Sequence, residues 1–99
     1  MPELRHRWIA TRTIEFEGMW HLLGAFGDLK PDWDSYGAPV ISPAAIERAK
    51  DLVVRRPEMC SWSASPTARG GVEFELDLGD ICLYVTIQPA GTIEGGVVG

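Results

Sequence analysis

The run from Val72 to Ile87 constrains the fold more than any other stretch. Val72, Phe74, Leu76 and Leu78 alternate with Glu73, Glu75 and Asp77, and Ile81, Leu83, Val85 and Ile87 alternate with Cys82, Tyr84 and Thr86. An apolar period of two marks a half-buried strand, because successive side chains leave opposite faces of a sheet. Only Gly79-Asp80 separates the two runs, which is the length of a two-residue hairpin loop. Such a loop pairs Leu78 with Ile81, and hence Leu76 with Leu83, Phe74 with Val85 and Val72 with Ile87. All eight apolar residues then share one face. A slip by one residue would bury the acids instead. Glu73, Glu75 and Asp77 are thereby expected opposite Thr86, Tyr84 and Cys82 on the other face.

The rest of the chain supplies what that apolar face would pack against. From Glu17 to Asp28, Met19, Leu22, Leu23 and Phe26 stand at i, i+3, i+4 and i+7, one stripe of a helix. Gly27 is placed to end it. Ser42-Pro43 is a strong helix start: the serine hydroxyl is expected to cap a free N–H, and proline at the first position loses no hydrogen bond. Ala45, Ile46, Ala49, Leu52 and Val53 line one side of this second helix. Arg55 and Arg56 suit its negative end, and Pro57 closes it. From Met59 the spacing of Cys60, Trp62 and Ala64 between serines predicts a first strand ended by Pro66, followed by a flexible turn over Thr67–Gly71. Pro89-Ala90-Gly91 turns the chain again, and Thr92 to Val98 can add a glycine-weakened edge strand.

The expected architecture is α+β, with two helices packed on one face of a three- to four-stranded antiparallel meander. A chain of 99 residues makes one domain. Its parts are an arm or edge strand over 1–14, a helical half over 16–56 with a loop at 29–42, and a sheet over 59–98.

Charge narrows the partner classes. The formal net charge is −5, which argues against bulk phosphate binding. The excess is local: residues 70–99 carry Glu73, Glu75, Asp77, Asp80 and Glu94 and no Lys or Arg. The first 69 residues are neutral. Arg5, His6, Arg7, Trp8 and Arg12 could stack on and neutralise single-stranded nucleic acid, but three arginines support only weak, salt-sensitive binding, so direct nucleic-acid binding is not expected. Neither a signal-peptide apolar run nor the about 20 apolar residues of a membrane span is present. The expected location is the cytoplasm of a bacterial or phage-infected cell. Cys60 and Cys82 match no metal or redox spacing, and reduced thiols are the default there.

Catalytic signals are weak. His6 lies in the arm, and His21 falls outside the first helical stripe. Gly-x-Ser-x-Gly, His-Glu-x-x-His and phosphate-loop patterns are absent. Glu73 and Glu75 could pair as acid and base, but neighbours on an open sheet lack the desolvation that would split their pKa values. No enzyme and no cofactor is expected. A hydrolase or transferase would require a deep pocket around Asp32, Asp34 or His21.

Two features remain as candidate binding elements. Asp32-Trp33-Asp34-Ser35-Tyr36-Gly37-Ala38-Pro39 sets two carboxylates around a tryptophan with a tyrosine close by. It is either a recognition loop or a structural plug. As a plug, Trp33 inserts between helices and sheet, Asp34 caps its own turn, and Gly37 takes a positive φ. The acidic strand face is the other candidate: carboxylates at about 7 Å intervals could imitate a phosphate row or dock on a basic partner. Its plain alternative is the solvated side of an antiparallel sheet.

The stretch from Trp33 to Ala49 resembles small bacterial and phage proteins of unknown function. In these, a Trp-Asp-x-Tyr/Glu-Gly-Ala-x-Pro loop leads into a Ser-Pro-capped helix, and a Gly-Gly-Val commonly opens an alternating strand, here Gly70-Gly71-Val72-Glu73-Phe74-Glu75. The likeness covers about half the chain, carries no assigned chemistry, and excludes the arginine-bearing arm. The expected function is a non-enzymatic protein-binding module. Its binding residues would be Glu73, Glu75, Asp77, Asp80, Tyr84, Trp33, Asp34 and Tyr36, and its partner basic, a nucleic-acid-handling protein or a toxin. Phage anti-defence (anti-CRISPR-like) inhibitors fit this description, as do immunity proteins and antitoxins. A structural homo-oligomer joined through its edge strand is the alternative of another class.

Overall fold

The computed structural model describes residues 15–99. The expected arm, with Arg5, His6, Arg7, Trp8 and Arg12, lies outside them. Helix α1 occupies residues 15–26 and α2 occupies Pro43–Arg55. Four strands follow: β1 (Ser63–Pro66), β2 (Val72–Asp77), β3 (Cys82–Ile87) and β4 (Ile93–Val98). They form one antiparallel meander in the order β1-β2-β3-β4. The fold is α+β, with the helical layer on one face of the sheet. None of the described helices is long and apolar enough to cross a membrane.

The hairpin register is the one that alternation dictates. Val72 pairs with Ile87, Phe74 with Val85 and Leu76 with Leu83, while Glu73, Glu75 and Asp77 pair with Thr86, Tyr84 and Cys82. The Leu78 N–H donates to the Ile81 carbonyl at 2.9 Å, closing a two-residue loop. Gly79 has φ +90° at the first loop position, where a type II′ turn needs glycine. Burial fades towards this tip: Val72, Phe74 and Ile87 are inaccessible, whereas Leu78 is 54% exposed. The tip extends past the helical layer.

One core joins the layers. Met19, Leu23 and Phe26 of α1 meet Ala45, Ile46, Ala49 and Val53 of α2 over Val72, Phe74 and Ile87 of the sheet. Leu22, expected in the α1 stripe, is 41% exposed and Phe16 takes part instead. The buried face of α1 follows the 16/19/23/26 line, extending one turn back to Phe16 and leaving the 22 position at the margin.

Two other expectations give way to local hydrogen bonding. The Ser42 side chain makes no cap to its own helix. Its Oγ donates to the Pro89 carbonyl at 2.6 Å, tying the start of α2 to the β3–β4 loop. The first strand begins at Ser63 rather than near Met59, because Pro57–Ser61 forms a 3-10 turn. Proline at its first position presets φ for a turn. The Met59 N–H then reaches the Arg56 carbonyl, the Trp62 N–H reaches that of Met59, and the Ser61 hydroxyl donates to that of Glu58. Cys60, Trp62 and Ala64 still face the core, so the apolar spacing was satisfied by a turn leading into a short strand. On α2, Asp51 accepts from both Arg48 (3.2 Å) and Arg55 (2.9 Å), as the i, i+4 spacing of Asp51 and Arg55 predicts.

The turn before β2 is firmly held rather than flexible. The Thr67 N–H donates to the Gly71 carbonyl at 3.0 Å, and the Gly71 N–H to Thr67 Oγ1 at 2.9 Å. Gly71 is buried against the Ile87 carbonyl, and a Cβ there would overlap that backbone oxygen. Gly71→Ala is therefore expected to destabilise the protein by about 1–3 kcal/mol, the range for overpacking a rigid site. Urea denaturation of the variant measures it directly.

Candidate functional site

The meander has two chemically distinct sides. Period-two alternation sends Ser63, Ser65, Glu73, Glu75, Asp77, Cys82, Tyr84 and Thr86 to the side away from the helices. The β3–β4 pairing of Thr86 with Glu94, Tyr84 with Gly96 and Cys82 with Val98 extends it. Tyr84 lies across Gly96, so its ring covers backbone that a side chain would otherwise shield. Among the described residues, Lys and Arg contribute nothing to strands β2–β4. The ion pairs of the described chain all use Asp51 on α2. The sheet acids thus have no cationic partner there.

A shallow groove of about 320 Å³ crosses this side, lined by Glu73, Glu75, Cys82, Tyr84 and Val98. The acids of this side of the sheet are linked to neighbouring polar side chains. Cys82 Sγ lies 3.2 Å from Glu75 Oε1, Thr86 Oγ1 lies 3.5 Å from Glu73 Oε1, and Gln88 Nε2 donates to Glu94 Oε2 at 3.3 Å. The bond to the Glu75 carboxylate, with partial burial and the nearby negative charges of Asp77 and Glu73, raises the Cys82 thiol pKa above its ordinary value. The groove therefore holds a protonated thiol beside carboxylates, the reverse of an activated nucleophile. It is suited to recognising donors and cations.

The sequence-predicted residues divide into three sets. Glu73, Glu75 and Tyr84 come together in the groove. Asp77 continues the row but uses Oδ1 to accept the Gly79 N–H at 2.8 Å, so it also braces the hairpin loop, where Asp80 stands exposed. Trp33, Asp34 and Tyr36 lie elsewhere, and none lines the groove. Their loop is self-braced. Trp33 packs partly buried on the core and its Nε1 donates to the Pro39 carbonyl at 3.0 Å. Asp34 Oδ1 accepts the N–H groups of Tyr36 (2.9 Å) and Ala38 (3.1 Å), and Asp32 Oδ1 accepts that of Gly37 (2.7 Å). These bonds hold Asp32 and Ser35 at φ +64° and +65°, a region that disfavours most side chains, with Gly37 at +83°. The loop has the geometry of the structural plug, and Tyr36, 92% exposed, is its one projecting ring.

Cys82 and Val98 belong to the groove without having been singled out by sequence. The signal was available in the register, because β3–β4 pairing sets Val98 beside Cys82. A second, apolar groove of about 210 Å³ lies on the helical side, lined by Phe16, Glu17, Trp20, His21 and Val54. Trp20 stacks on Phe16 with ring centroids 5.8 Å apart, and Lys50 Nζ sits 4.9 Å above its ring. His21 is exposed there. Among the described residues no group of three or more His, Cys, Asp or Glu could hold a metal ion.

Compared with known proteins, the chain matches no family model, no curated protein and no solved structure.

The Cys82–Glu75 contact has a measurable consequence. With its pKa raised, the thiol holds its proton at a pH near the ordinary thiol value of about 8.5. Iodoacetamide should alkylate Cys82 more slowly than a free cysteine at that pH. Glu75→Gln removes the charge that opposes thiolate formation, and the rate should rise. An unchanged rate would show that Glu75 does not govern the thiol.

Proposed function

We propose that this protein is a non-enzymatic binding module that presents the acidic side of its sheet to a basic partner protein. The observation that carries the reading is the row of Glu73, Glu75 and Asp77, flanked by Glu94, without a Lys or Arg in strands β2–β4. Carboxylates already paired to cations on their own chain would have little charge to offer. These have none of that compensation among the described ion pairs. Rows of like charge attract an oppositely charged surface, speed encounter and discriminate against acidic competitors. The groove through the row adds Tyr84, an aromatic of the kind that anchors interfaces.

A partner suited to this surface carries a basic track, such as a protein that handles nucleic acid. Covering that track with carboxylates would exclude phosphate, so the protein would act as a stoichiometric inhibitor. Phage anti-defence proteins of the anti-CRISPR kind work in this setting, and immunity proteins and antitoxins form the second. Either places the protein in a bacterial or phage-infected cytoplasm. The aromatic Tyr36 lies outside this surface and has no part in the proposal.

The paired substitution Glu73→Lys/Glu75→Lys tests the reading, because both side chains point away from the core and reversal should leave the thermal midpoint within a few degrees. Affinity capture from the native host with the wild-type chain should recover a basic protein, and the charge-reversed chain should fail to recover it. Wild-type binding should also weaken as salt rises. Equal recovery by both chains would overturn the proposal.

A further inference from the structure

The two edges of the sheet are unlike. Edge β1 has four residues and ends in Pro66, which cannot donate to a neighbour. Edge β4 has six residues, Ile93–Val98, with no proline, lysine or arginine. Its free backbone groups can be assigned. In an antiparallel ladder, residues alternate between bonding the neighbouring strand and pointing away from it. The Gln88 N–H donates to the Thr92 carbonyl at 2.8 Å, which fixes the phase. With Tyr84 opposite Gly96 and Thr86 opposite Glu94, the even-numbered residues of β4 bond β3. Ile93, Gly95 and Val97 therefore aim their N–H and C=O groups outward, where no described strand follows.

The same three residues face the helical side, yet α2 packs over β2 and β3 and leaves β4 overhanging. Ile93 is 36% and Val97 62% exposed. The edge thus offers unpaired backbone and uncovered apolar side chains at the same positions.

We propose that a second copy of this chain occupies that edge, with β4 pairing antiparallel to the partner's β4 about a two-fold axis at Gly95. The outward groups are symmetric about Gly95, as an isologous contact requires. Ile93 faces the partner's Val97, Gly95 faces the partner's Gly95, and Val97 faces the partner's Ile93. Each outward donor then meets an outward acceptor. The apolar pairs cover one another on the helical side. On the acidic side Glu94 falls opposite the partner's Gly96, so like charges are not set directly against each other. Glycines at the axis let the two backbones approach without side-chain interference. The product is one continuous eight-stranded sheet. Its two acidic grooves open on the same side, with the two β3 strands about 14 Å apart at the usual strand spacing. The dimer does not depend on the acidic side binding a partner.

Light scattering of the full chain should give twice the chain mass, and Val97→Lys should give the monomer mass with an unchanged circular dichroism spectrum. A lysine there places a charge in the new interface and is accommodated by the exposure of Val97 in the single chain. Directly opposed residues of a bonded pair have Cα atoms about 5.5 Å apart, within the span of a disulfide. Gly95→Cys should therefore cross-link quantitatively under mild oxidation, and Thr92→Cys, displaced from the axis, should not. A wild-type chain that stays monomeric at its highest soluble concentration overturns the proposal. So does cross-linking of Thr92→Cys as efficient as that of Gly95→Cys.

Discussion

The pairing of Phe74 with Val85 governs this molecule. It sets the phase of the central hairpin, and the phase decides which side of the sheet is apolar. With Phe74 inward, Val72 and Ile87 complete a fully buried floor on which both helices rest. With Phe74 inward, Glu73 and Glu75 must also point outward, since side chains alternate without exception along a regular strand. Core and acidic surface are therefore two results of one choice. A shift by one residue would place carboxylates under α2 without hydrogen-bonding partners, at a cost of several kcal/mol each. The register is protected from both sides.

Legibility in the sequence followed the range of the interactions. The β2–β3 hairpin was readable residue by residue, because its loop is two residues long and its patterning strict. Helix α2 was readable from Ser42-Pro43 to Pro57, although Ser42 turned out to bond Pro89. That partner is remote in sequence, and nothing near residue 42 announces it. The stretch 59–61 reads as strand in the sequence, yet serines alternating with apolar residues suit a strand and a 3-10 turn equally, and Pro57 at the first position favours the turn. Leu22 falls on the apolar spacing but outside the buried face, because spacing gives the direction of a helix face but not its width. Within the candidate site, the acids and Tyr84 followed from alternation. The separation of the Trp33–Tyr36 loop from them depended on tertiary packing alone.

That loop shows how a sequence resembling a binding element can be spent internally. Two left-handed non-glycine residues are costly, on the order of 1 kcal/mol or more each. The carboxylates of Asp32 and Asp34 offset the cost by accepting three backbone N–H groups. Charged acceptors make the stronger class of hydrogen bond. The acids that looked available for a partner are thus committed to the chain's own backbone, whereas those on the sheet make few such bonds. The distinction lies in what each carboxylate oxygen already accepts rather than in how many acids cluster.

The bond from Ser42 to Pro89 also bears on how the chain folds. A helix sealed by its own serine could form early and wait. Here the serine hydroxyl is spent on a carbonyl 47 residues away, and the segment between holds all of α2, the 3-10 turn and three strands. Closing so long a loop costs more chain entropy than closing the short hairpins of the sheet. The start of α2 is held from two loops of the meander, because the Ser42 N–H donates to the Gly70 carbonyl at 2.8 Å and its hydroxyl to the Pro89 carbonyl. Helical and sheet halves are thus joined at the start of α2 as well as through their shared core.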